Sequence, residues 1–119
     1  DIILTIKSLA GPGIDFETIS RKPATAAPFE GAAVDAIRRA VDAEDPGAVV
    51  LPYLNSAGTD AKGFAVLPDG RRINYYGCTP LRLPADFDFI NLFHGVDERV
   101  PVGSLVFGAK VVDHILQEA

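Results

Sequence analysis

Two short stretches hold the residues best suited to chemistry. The first is NLFHGVDERVPV, residues 91–102, which carries His94, one of two histidines in the chain, beside Gly95, Asp97, Glu98 and Arg99. A neutral imidazole ligates metals and titrates near neutrality, and the adjacent glycine lets the backbone turn sharply towards a ligand. Read from these letters alone, the plainer alternative leads: a loop histidine bonded to a backbone carbonyl. Asp97 and Glu98 would serve as a general base, as supporting carboxylates, or simply as favourable charges ahead of a helix N-terminus, and the last is the default. Arg99 beside two acids reads more readily as an internal ion pair than as a carboxylate clamp. The second stretch is SAGTDAKG, residues 56–63, where Gly58 permits a close backbone approach and Thr59 offers a hydroxyl and an N–H to an anionic group. A plain capping turn fits it equally well.

Other constellations are weaker. A Ser56, Asp60, His94 arrangement lacks the GxSxG elbow that exposes a nucleophilic serine. No Walker loop or dinucleotide GxGxxG is present. Cys78, the single cysteine, excludes an intrachain disulfide and is expected to be an inert buried thiol. His114 is expected on the polar surface of the last helix, next to Asp113.

These residues need elements to hold them. The 119 residues make one domain's worth of chain, 48% hydrophobic and 23% charged, which is ordinary globular composition. A net charge of −5 speaks against nucleic-acid and anionic-membrane partners, and no apolar run approaches the length of a membrane span. The lone cysteine fits a reducing compartment, so a cytoplasmic setting is expected. The chain opens on DIILTIKSLAG with no methionine anywhere, which reads as an internal start within a longer polypeptide.

Residues 2–10 suit a helix or a strand, and Gly11 with Pro12 stops either. Residues 13–20 alternate as an edge-type strand, with Ile14, Phe16 and Thr18 on one face. Residues 21–28 form a Pro-containing connector. A helix is expected over 29–43, with Ala33, Val34, Ile37, Ala40 and Val41 in one stripe, stopped by the DPG at 45–47. Strands are expected at 48–54 and 73–81, separated by a polar loop with a short helical turn and by the turn at Asp69 and Gly70. After a long irregular segment, 84–99, a final helix places Val102, Leu105, Val106, Ala109, Val112 and Leu116 at core spacing, with Pro101 in its first turn. Alternating helices and strands predict an α/β layer structure with ligands at the loops leaving the strands.

SAGTDAKGF followed later by HGVDERVPVGSLVFGAKVV resembles the C-terminal part of the co-catalytic zinc metallopeptidase and amidohydrolase family. This is the family of aminoacylases, dipeptidases, carboxypeptidases and succinyl-diaminopimelate desuccinylases. The PADF before His94 is most similar to the carboxypeptidase S and N-acyl-amino-acid hydrolase branch, and DPGAVVLPYL resembles the strand ahead of the family's threonine loop. The resemblance implies a zinc-exopeptidase-like mixed-sheet catalytic domain over 23–119. It implies that 1–22 is the end, a helix and an edge strand, of an inserted ferredoxin-like lid or dimerisation domain. It also implies that His94 is a zinc ligand, that Gly58 and Thr59 contact the substrate's carboxylate, and that Asp60, Asp97 and Glu98 order their loops.

Departures from the family pattern fall at Ala57, Gly63, Pro101 and Gly103. The family's HxD segment, bridging Asp and Glu-Glu pair have no counterpart here. The resemblance therefore implies a C-terminal piece of an enzyme that holds two zinc ions when intact and cleaves amide or peptide bonds of N-acyl-amino acids or small peptides. That piece would be inactive without the N-terminal part of the same protein. A reading of another class stays open: a non-catalytic α/β module that associates with a second copy, its edge strand at 14–19 left without a partner.

Overall fold

The computed structural model describes residues 2–20, 24–55 and 57–118. They form α1 (Ile2–Ala10), α2 (Ala32–Glu44), a 3₁₀ turn (Asp60–Phe64), α3 (Phe89–Leu92) and α4 (Val102–Gln117). The order of the helices follows the sequence pattern. The α/β expectation does not hold: 42% of the described residues are helical and there is no sheet among them. The only ladder-like pairing among them is an isolated antiparallel bridge between Val66 and Arg72.

The expected strands fail for a common reason. Alternation and β-branched content favour a strand conformation, but a strand is completed only by a neighbour that accepts its N–H and C=O groups. Across 13–20, 48–54 and 73–81 only the Ala48 N–H (to the Asp45 carbonyl, 3.0 Å) and the Ile73 N–H (to the Ala65 carbonyl, 3.0 Å) find a backbone acceptor among the described residues, and neither bond extends into a ladder. Proline at 52 and 80 also removes a ladder donor from two of these runs. The Tyr76 hydroxyl donates to the Pro28 carbonyl at 3.0 Å, and Tyr75 pairs with Thr25, so this run holds the connector instead. The expected boundary between 1–22 and 23–119 falls at residues outside those described.

The core is the α2–α4 pair. Val34, Ala36 and Ala40 of α2 are buried, as are Ser104, Gly108 and Val111 of α4, and the two helices pack on each other. Their spacing in α4 is the i, i+4, i+7 of one helix face. This corrects the expected stripe. Leu105 (52% exposed), Val106 (54%) and Leu116 (69%) point outward, and so do Val102 and Val112. Small residues won the inner face because they let other segments come close. At Gly108 an added Cβ would lie 2.5 Å from the Pro80 carbonyl oxygen, so the chain at 80 runs against the helix where there is no side chain. Ser104 Oγ donates to the Arg82 carbonyl at 2.5 Å and fixes the same segment one turn earlier.

The stops behave as the sequence says. Asp45 caps α2 through its N–H to the Val41 carbonyl, 2.8 Å, and Gly47 adopts φ 87° just beyond. At the predicted turn Gly70 takes φ 83°, with its N–H 2.9 Å from the Leu67 carbonyl and Arg71 N–H 3.1 Å from Asp69 Oδ1. Pro101 stands at the N-cap of α4 rather than inside its first turn. No described helix is long and apolar enough to cross a membrane.

Candidate functional site

Thr59 is the N-cap of the 3₁₀ turn. Its backbone is extended (φ −142°, ψ 141°) and its Oγ1 accepts the Ala61 N–H at 3.3 Å. The hydroxyl is therefore engaged as a cap, as Ser and Thr are at helix starts. Ahead of it the Asn55 side chain accepts the Ala57 N–H at 2.9 Å, closing a local turn. Gly58 is exposed, with open space where a Cβ would be, so its backbone is accessible from outside. Asp60 opens the 3₁₀ turn and is also exposed. Ser56 lies outside the described residues, so nothing structural bears on the arrangement that would use it.

His94 follows α3 directly. Asp88 caps this one-turn helix by accepting the Asn91 N–H, and Phe93 N–H closes its end on the Phe89 carbonyl. His94 then takes φ 57°, the one non-glycine residue with positive φ among those described. The left-handed conformation costs an ordinary residue about 1–2 kcal/mol, and histidine tolerates it better than most. Gly95 N–H returns to the Leu92 carbonyl at 2.8 Å, and a Cβ there would meet the Asn91 carbonyl oxygen at 2.9 Å. Glycine is thus required at 95, and the pair turns the chain sharply. The imidazole is exposed and lies 4.2 Å from the Phe93 ring, centroid to centroid. Arg99 Nη1 donates to the backbone carbonyl of Asp97, 3.1 Å, which makes it a local brace. Asp97 and Glu98 are exposed.

These features do not converge on one another. Among the described residues no hydrogen bond, ion pair or ring contact joins 58–60 to His94, and no group of three or more His, Cys, Asp or Glu is placed to hold a metal. Zinc needs three or four donors, and His94 alone does not supply them.

The structure gathers a different set of charges at the α2–α4 junction. Glu44, the last residue of α2, receives Lys110 Nζ at 3.2 Å and lies 3.1 Å from His114 Nε2. Hydrogen bonding from Lys110 first, then from His114, holds the Glu44 carboxyl below the usual glutamate range. Arg82 meets Asp45 at 3.3 Å, and Arg39 pairs with Glu118 at the far end. An open groove of about 430 Å³ runs past Glu44, Arg82, Ser104, Phe107 and Lys110. Its charged groups are already matched to one another, so it is a structural seam.

His114 was expected on the surface and is half-exposed, but its ring ties the two helices together. Lys110 and His114 stand one turn apart on α4, a spacing that could have signalled a shared partner. Cys78 departs from expectation: it is exposed, at the rim of an apolar groove lined by Ile37, Val41, Val50 and Phe107. Burial of part of its surroundings raises the thiol's pKa, which disfavours the reactive thiolate.

No family model, curated protein or solved structure matches the chain.

Proposed function

We propose that the chain is the C-terminal portion of a metal-dependent cytoplasmic hydrolase acting on amide or peptide bonds of N-acyl-amino acids or small peptides. The observation that carries the reading is the ordered pair of motifs, AGTD and HGVDE, leading into α4. Two local geometries support it. His94 holds a strained backbone at an exposed turn, the kind of outlier that clusters at functional sites. Gly58 presents open backbone beside the capped Thr59, which suits recognition of a carboxylate by main-chain N–H groups.

In this reading His94 supplies one zinc ligand, and Gly58 and Thr59 take the carboxylate end of the substrate. The remaining ligands and the general base come from the N-terminal part of the same protein. Zinc would provide the activated water for attack on the amide.

The test uses the whole polypeptide that carries residues 1–119. It should hold about two zinc ions per chain, as co-catalytic sites do, and hydrolyse N-acyl-amino acids. His94→Ala should lose one metal equivalent and activity together. An unchanged metal content and rate in that variant would refute the reading.

A further inference from the structure

Residues 48–54 are an apolar run whose composition and environment disagree. Val49 is 77% exposed, Leu51 73% and Tyr53 87%, and residues 49–54 make no backbone hydrogen bond to any described residue. The chain as a whole exposes 9851 Å², against about 6,200 Å² for a compact chain of its mass. Its radius of gyration is 18.9 Å, where a compact chain of this length has about 13.5 Å. Obligate dimers bury about 1,000–2,500 Å² from each copy. The surplus is larger than that.

The chemistry of the run narrows what can cover it. Unused main-chain donors and acceptors beside apolar side chains of alternate residues are satisfied together by an added strand, and not by a helix. Proline at 52 has no N–H, so the backbone edge shared by residues 50, 52 and 54 is deficient in donors. The edge of Val49, Leu51 and Tyr53 is complete. From Pro46 to Thr59 no residue carries a charge, in a chain whose net charge is −5. A two-fold contact sets residues near the axis against their own copies, so a charge there would repel itself, and this edge carries none.

We infer that two copies of the chain join through this run as antiparallel strands, with Leu51 on the two-fold axis and Val49 opposite Tyr53 of the second copy. The contact then makes cross-strand Leu–Leu and Val–Tyr pairs on one face and uses the donor-complete edge. It is separate from the run at 14–19 and involves neither His94 nor Thr59. A monomer would overturn it and leave the hydrolase reading, which rests on His94, Gly58 and Thr59, untouched.

The experiment is light scattering on the 119-residue chain across a concentration series, without metal or substrate. The expected mass at high concentration is twice 12.6 kDa, with a gain of strand signal in the amide I band as the dimer forms. Leu51→Lys sets two ammonium groups face to face and should weaken the dimer on the order of tenfold or more. Mixing Leu51→Lys with Leu51→Glu should restore it. Retained helical dichroism shows that the α2–α4 pair is intact in both variants. A monomer at every concentration, an open-ended series of larger species, or a dimer indifferent to charge at 51 would each overturn the inference.

Discussion

His114 Nε2 lies 3.1 Å from Glu44 Oε1, joining the C-terminal half of α4 to the last residue of α2 across a sequence gap of 70 residues. Lys110 approaches the same carboxylate from one turn earlier. The only two helices packed on each other among the described residues thus share an ionic latch at one end.

That latch gives the fold a pH dependence with a definite sign. The Glu44 carboxyl sits below its ordinary value of 4.5 because Lys110 and His114 bond its charged form. A depressed carboxylate contributes stability above its unfolded pKa and loses it as pH falls through the folded value. The melting temperature should therefore decline below pH 4.5, and Glu44→Gln should flatten that decline while lowering stability at neutral pH. Equal acid slopes in the two proteins would contradict the assignment. Glu118, held down by Arg39, adds a decline in the same window.

Gly108→Ala and Gly103→Ala should diverge, although both sit in α4. At 108 the new methyl meets the Pro80 carbonyl at 2.5 Å, and overpacking of this kind costs about 1–3 kcal/mol, more than alanine's helical advantage of about 1 kcal/mol. At 103 nothing lies within 4 Å, so alanine should stabilise by about half a kcal/mol. Urea denaturation midpoints separate the two cases.

The inward face of α4 is open to the same kind of comparison. Val111 is 0% exposed, so Val111→Ala should cost about 2 kcal/mol through lost burial and a cavity. Val112→Ala, next to it but 44% exposed, should stay within about 0.5 kcal/mol of the parent. The reverse order would mean that the outer stripe is the packed one.

At His94, backbone and side chain separate cleanly. His94→Gly relieves the left-handed strain, so stability should hold or rise by about 0.5 kcal/mol, since glycine's extra unfolded-state entropy offsets part of the gain. The same substitution removes the imidazole, so in the parent polypeptide metal content should fall while the melting temperature does not. A large drop in stability would give His94 a structural role instead.

Local chemistry was legible in the sequence, and non-local pairing was not. The DPG stop, the Asp69 and Gly70 turn, the cap at Thr59 and the helices α2 and α4, the first of which starts at Ala32 rather than at 29, all rest on neighbours within four residues. The strands at 13–20, 48–54 and 73–81 needed partners that periodicity cannot name. Helix faces failed for a related reason. In α4 the hydropathy of Leu105, Val106 and Leu116 pointed to the core, but the closest approach is made where Ser104 and Gly108 leave room. For the candidate site, the motifs located His94 and Thr59, yet nothing in their spacing fixes the distance between them. Glu44 gave no local signal, because its partners stand on the other helix.

The α2–α4 pair also sets how the chain breathes. Protection from hydrogen exchange should peak around Ala40 and Val111, where the backbone can open only by separating two packed helices. Amides of residues 49–54, bonded to no described neighbour, should exchange at nearly the rate of a free peptide. The chain is thus a stiff two-helix clasp carrying labile segments, and its resistance to proteolysis should be divided along the same line.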